Sequence, residues 1–351
     1  MGALHLLQFP TEILNNIFCF IPEKDFPSLA STCLRFFLIL NQQRLQSIFL
    51  NKQALDFLSH HADICDYVQE ISVTGMLESD LPRIKDVLSR IPKLRYLEFR
   101  CPVFGEDCED LLEFVARSPI EHLHLCVEEI PKTPARLDAW SLRVLHIAPP
   151  PASLGITPKP MGSILPILRQ CARIMETLSI PVSDDCLEIA RHITSLTNFR
   201  VTAPASPDLL QKFIEILPRD LVCLDIAFVG PISMPLIEAI TKLQSLRTIQ
   251  LRGNDEPVDH SVISELSSLE SLRELSVRGF STGLEYLTRM EVEKGRKRRD
   301  FAKGMALESK KYEKISSLQL LSFHGVVKLR GKRQRTYIAL FRRVTGSFVE
   351  Y

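Results

Sequence analysis

The 351-residue chain, of about 39.9 kDa, is 45% hydrophobic and 24% charged, with a formal net charge of +1. That balance belongs to a folded globular chain and excludes both wholesale disorder and nucleic-acid binding by bulk charge. Charge is unevenly spread, because residues 245–351 hold 21 Lys and Arg against 13 Asp and Glu, net +8, which leaves −7 on residues 1–244. The nine cysteines form no Cys-x-x-Cys pair, so neither a disulfide framework nor a zinc site is expected. Apolar runs fall far short of the ~20 residues that span a bilayer, and the N-terminus lacks a basic signal-peptide start. A cytoplasmic or nuclear protein without membrane contact is the expectation.

Residues 1–50 read as helical. Ile13, Leu14, Ile17, Phe18 and Ile21 recur at the 3.6-residue period behind Pro10, and Pro22 ends that helix. Asp25 suits the N-cap of a second helix with Pro27 in its first turn and a stripe of Leu29, Cys33 and Phe37. A third helical stretch is expected through Leu40, Leu45 and Phe49. Three short helices have more apolar residues than one small core absorbs, so the surplus is expected to meet a partner.

The series Phe9-Pro10-Thr11-Glu12-Ile13-Leu14, Ile17-Phe18, Ile21-Pro22, Asp25-Phe26, Leu29 and Thr32-Cys33-Leu34-Arg35-Phe36 resembles the F-box. Phe9 and Phe26 stand where that family usually has Leu. The resemblance implies docking onto the Skp-family linker of a cullin-based ubiquitin ligase. Phe9, Pro10, Ile13, Leu14, Ile17, Phe18, Ile21, Leu29, Cys33 and Phe36 would form that interface or the packing beneath it.

Beyond Tyr67 a hexapeptide of the form apolar-x-x-apolar-x-apolar recurs. Its copies are Val68-Ile71-Val73, Leu94-Leu97-Phe99, Ile120-Leu123-Leu125, Leu142-Leu145-Ile147, Met175-Leu178-Ile180, Leu196-Phe199-Val201, Leu221-Leu224-Ile226, Leu246-Ile249-Leu251, Leu272-Leu275-Val277 and Leu318-Leu321-Phe323. Middle residues lie 26, 26, 22, 33, 21, 25, 25, 26 and 46 positions apart. Amphipathic stretches at 79–91, 107–115, 164–174, 184–193, 207–217, 235–243 and 261–269 fill the intervals as candidate helices. One strand and one helix in about 20–29 residues is the leucine-rich-repeat period, and residues 66–325 resemble that family.

The expected fold is α/β. A three-helix F-box (1–50) and a connecting helical segment (51–66) precede a curved leucine-rich-repeat solenoid (67–325), with a parallel sheet on its concave face and helices on its convex face. A cap or tail (326–351) follows, in which the alternation Tyr337-Ala339-Phe341 suits a terminal strand. The interval of 33 holds a proline-rich loop at 149–160, and the interval of 46 holds a basic insertion at 288–312 with Lys294-Gly295-Arg296-Lys297-Arg298-Arg299. That run, like the later Lys328 to Arg335 segment, suits nuclear localisation or nucleic-acid contact.

Alternate strand residues would point from the concave face. Tyr96, Glu98, Arg100, His122, His124, His146, Arg200, Asp225, Arg252 and Arg278 are therefore the candidate substrate-binding residues. The three histidines read as exposed rung residues rather than zinc ligands. Arg247, Arg252, Arg273 and Arg278 would suit an acidic or phosphorylated substrate segment. No catalytic motif, metal site or cofactor is expected. A substrate adaptor of an SCF-type ligase, bound to linker and cullin scaffold and itself non-enzymatic, is the leading expectation. A ubiquitin-independent repeat scaffold or inhibitor stands beside it. A nuclear RNA-binding protein is the third, and lacks a recognised nucleic-acid module.

Overall fold

Residues four and six of each hexapeptide are apolar and two apart, so a strand turns both to one side and buries them while its intervening residues face out. The computed structural model describes residues 9–18, 20–33, 35–36, 39–40, 45–75, 78–103, 105–127, 141–149, 165–253, 265–278, 318–327, 335–344 and 347–350. The chain divides into two compact units, essentially Met1–Cys126 (unit 1) and Leu142–Tyr351 (unit 2).

Unit 1 opens with helix α1 (Thr11–Phe18), a 3-10 turn at Glu23–Asp25 and helix α2 (Phe26–Ala30). Asp25 closes the 3-10 turn and stands directly before α2, with Pro27 in that helix's first turn as expected, but α2 ends at Ala30, short of Cys33 and Phe37. Next come β1 (Ser47–Leu50), α3 (Lys52–His60), α4 (Ala62–Cys65), β2 (Glu70–Val73), α5 (Leu81–Ser89), β3 (Tyr96–Val103), α6 (Gly105–Arg117) and β4 (His122–Val127). Strands β1, β2 and β3 pair in parallel, Ile48 opposite Ile71 and Ile71 opposite Leu97. The Arg95 carbonyl accepts the N–H groups of Glu121 and His122, which ties the start of β4 to the start of β3.

Residues 35–36, 39–40 and 45–46 are helical, as expected for the third stretch at Leu40 and Leu45, and strand β1 corrects only its end, where Phe49 is extended. Leu45-x-x-Ile48-x-Leu50 is itself a copy of the hexapeptide, and its middle residue lies directly across from Ile71. Local helical patterning lost to pairing with an adjacent strand. Asn51 then turns the chain into α3, its Oδ1 accepting the Ala54 N–H at 2.9 Å.

Unit 2 alternates β5 (Val144–Ala148), α7 (Leu165–Cys171), β6 (Thr177–Ile180), α8 (Asp184–Ala190), β7 (Asn198–Val201), α9 (Pro207–Ile216), β8 (Cys223–Ala227), α10 (Met234–Thr241), β9 (Thr248–Arg252), a 3-10 turn at Glu265–Ser268, and β10 (Glu274–Arg278). That short turn is what the structure places within the helix expected at 261–269. Strands β11 (Leu320–Val327), β12 (Arg335–Val344) and β13 (Ser347–Glu350) complete the unit.

Strands β5 to β11 pair in parallel, with Leu145, Leu178, Phe199, Leu224, Ile249, Leu275 and Leu321 directly opposite one another in turn. A slip of one residue would turn each inward row out to water, so the apolar pattern fixes the register. The 46-residue interval leaves this ladder in register. The basic run Lys294 to Arg299 and most of the proline-rich loop lie outside the described residues. Strand β12 pairs antiparallel with β11 and with β13, so the C-terminal segment is a meander.

Helix α9 packs its apolar stripe behind the strands. On α9, Leu210, Phe213 and Ile214 are buried, and the Phe213 ring stacks on Phe199 at 4.9 Å. Ser206 caps that helix through the Leu209 N–H, and Pro207 occupies its first turn.

Candidate protein-interaction surfaces

The N-terminal head packs Leu14, Phe18, Phe26, Phe36, Ile39 and Leu40 into one cluster, with Phe9, Ile21, Leu29 and Cys33 half-buried against it. Phe18 and Phe36 meet edge to face at 5.1 Å. The Arg35 guanidinium donates to the Phe9 carbonyl at 2.7 Å, holding the entry to α1. Pro10 is exposed, and its carbonyl accepts the Ile13 and Leu14 N–H groups at 3.1 Å each.

Leu14 and Phe18 therefore point into the head, while their helix neighbours do the opposite. Ile13 and Ile17, one turn apart, are 44% and 37% exposed, and Phe20 just past the helix end is 88% exposed. Phe20 was not among the candidates read from the sequence. Its only signal was an apolar residue outside the periodic stripe.

On the sheet face of unit 1, Tyr96, Glu98, Arg100, His122 and His124 come together. Tyr96 lies 6.1 Å from the His122 ring and 5.2 Å from the His124 ring. Glu98 accepts from the Ser72 hydroxyl at 2.7 Å and pairs with Arg100 Nε at 3.0 Å. The Arg100 guanidinium in turn lies over the ring of Phe49 at 5.6 Å, and Phe49 is 61% exposed. Phe49 was assigned to a helix by its sequence pattern, and only the β1 pairing places it on this surface.

Electrostatics follow from this packing. Burial pulls the His124 imidazole below its ordinary range, opposed by Glu98 and reinforced by His122 and Arg100. Burial would raise the Glu98 carboxyl, but the Ser72 hydroxyl and Arg100 outweigh it and hold the group low. Burial, with the charge of Glu98, pushes the Tyr96 phenol up. The face is thus an aromatic patch beside a Ser72–Glu98–Arg100 chain. Among the described residues no group of three His, Cys, Asp or Glu could hold a metal ion.

His146, Arg200, Asp225, Arg252 and Arg278 belong to unit 2. In the strand ladder His146 lies opposite Ser179, Ser179 opposite Arg200, and Arg200 opposite Asp225. Asp225 is gripped from both sides, its two oxygens 3.2 Å from Arg200 Nε and 2.6 Å from Arg252 Nε. Arg252 also donates to the Val201 carbonyl. With Asp225 and Arg252 only 16% and 22% exposed, this guanidinium is committed internally and is not an open receptor for an acidic segment. Arg278 stands opposite Arg252 in the backbone register.

Residues 6–46 match the model of the F-box domain. No curated protein matches the chain. Three solved structures are similar to it at low identity. Internalin C2 from Listeria monocytogenes is 17% identical with a TM-score of 0.31, over 58% of this chain and 80% of that one. The complex of Rad7 and Elc1 in yeast gives 14% and 0.35, over 78% and 88%. The leucine-rich-repeat protein LIC12759 of Leptospira interrogans gives 11% and 0.29, over 71% and 56%.

Proposed function

From a chain that is an F-box protein with leucine-rich-type strand–helix repeats, we propose that it acts as the substrate-recognition adaptor of an SCF-type ubiquitin ligase. The head docks on a Skp-family linker attached to the cullin scaffold, and the outward sheet residues hold the protein to be modified. The chain itself makes and breaks no bond; it raises the local concentration of substrate lysines at the ligase.

The observation that carries this reading is the F-box match over a head that leaves Ile13, Ile17 and Phe20 in solvent while Leu14 and Phe18 fill its interior. Apolar side chains outside a completed core favour a partner that covers them. For the substrate side, the Phe49, Tyr96, His122 and His124 cluster offers aromatic contact area.

The test is titration of the full chain with a purified Skp-family linker, alongside Ile13→Asp/Ile17→Asp, which alters the head surface without emptying its core. Micromolar or tighter binding by the parent, lost in the double variant with unchanged circular dichroism, supports the adaptor. A folded parent that fails to bind would leave a ubiquitin-independent scaffold as the reading.

A further inference from the structure

The sheet face of unit 1 already holds one cation of its own. Arg100 lies over the ring of Phe49 at 5.6 Å while its Nε reaches the Glu98 carboxylate at 3.0 Å, so a ring and a carboxylate grip the guanidinium together. The neighbouring outward row repeats those two groups. Glu70 on β2 stands directly opposite Tyr96 on β3, about 4.8 Å away across the parallel pair. The next rung shows that outward side chains of these two strands do meet, because the Ser72 hydroxyl donates to Glu98 at 2.7 Å.

No cation fills this second position. Glu70 is exposed and has no ion-pair partner among the described residues, and none of their basic side chains lies over Tyr96. Arg95, next to Tyr96 in the chain, instead meets Glu121 at 3.7 Å. The outward residues Phe49, Glu70, Ser72, Tyr96, Glu98 and Arg100 thus set two carboxylates against one guanidinium, a surplus of one negative charge beside exposed rings. Burial, Glu98 and Glu70 push the Tyr96 phenol up, against Arg100, so the ring stays uncharged within a negative field.

We propose that Tyr96 and Glu70 bind a cationic side chain, Arg or Lys, of the protein held on this face, while Phe49 covers apolar residues beside it. A cation seated there has its charge met by the carboxylate and part of its hydration replaced by the ring. An acidic segment is disfavoured, because Glu98 already engages Arg100 and Glu70 would repel a further carboxylate. This names the substrate chemistry of the adaptor reading, and it rests on that reading for the role of the sheet face.

The experiment titrates the full chain at about pH 8, where ordinary imidazoles are uncharged, with three pools of short peptides. The pools share randomised apolar flanks and carry Arg, Gln or Glu at the central position. The Arg pool should bind at least about fivefold tighter than the Gln pool, and the Glu pool should bind weakest. Glu70→Lys, at an exposed site, should erase that order with circular dichroism unchanged, and Tyr96→Leu should narrow the gap between the Arg and Gln pools. Equal affinity for the three pools, no saturable binding by any of them, or an Arg preference that survives Glu70→Lys overturns the site. Tightest binding by the Glu pool overturns it in favour of an anion at Arg100. Linker titration of the same full chain keeps the two readings apart. A chain that binds the linker without an Arg preference loses this site and keeps the adaptor, whereas an Arg preference without linker binding does the reverse.

Discussion

The outward rows of the two units share a backbone and differ in chemistry. In unit 1, Phe49, Tyr96, His122 and His124 present rings, and the one ionic chain ends on an exposed guanidinium above Phe49. In unit 2, Thr177, Asn198, Thr248 and Gln250 share the outward rows with a carboxylate held between Arg200 and Arg252. The inward rows are nearly interchangeable, with Ile71 and Leu97 in one unit and Leu178, Leu224 and Ile249 in the other, all essentially without exposure. The repeat constrains what packs behind the sheet, because a strand cannot pair in register without an apolar row there. It leaves the outward residues open to whatever recognition requires.

The largest expected effect tests the shared side of that comparison. Leu97→Ala in unit 1 and Leu224→Ala in unit 2 should each cost about 2–5 kcal/mol, since both empty a fully packed site. Urea titrations of the two variants would break the equivalence if one were tolerated and the other not.

The outward side should then separate the units. Asp225→Ala strands two guanidiniums, one of them mostly buried, and should cost about 1–3 kcal/mol. Glu98→Ala releases an Arg100 that already reaches solvent and should cost less than about 1 kcal/mol. Denaturation midpoints in the same buffer compare them directly, and a Glu98 loss as large as that of Asp225 would contradict the distinction.

The smallest effect concerns pH. Folding holds His124 below its ordinary value of 6.5, so on acidification the unfolded chain takes up the proton first. The stability of unit 1 is therefore full above that value and falls as pH drops through it towards the folded pKa. Glu98, held below 4.5, adds its own loss only at lower pH. His124→Gln should accordingly flatten the change in urea midpoint between pH 7 and pH 5, and a slope equal to the parent's would remove His124 as its source.

Much of the fold was legible in the chain itself. The spacing of Ile71, Leu97, Leu145 and their successors located every parallel strand from β2 to β11, because strand alternation and a regular interval reinforce each other. Ile48 and Leu50 escaped because Leu45 and Phe49, four apart, fit a helical period that the structure follows only to Gln46, and short apolar runs fit both patterns. The candidate surfaces were less legible. Alternation placed Tyr96, His122 and His124 outward, yet it could not reveal that Phe49 joins them or that Arg252 closes on Asp225.

What the sequence by itself determined is the repeat, its inward rows and the helical head, since these rest on periodic burial that each residue contributes locally. Only the tertiary structure decided which polar and aromatic side chains meet. Contacts such as Arg100 over Phe49, and Arg200 and Arg252 on Asp225, join residues from different repeats. Their energies depend on distance and desolvation, quantities that no spacing along the chain encodes.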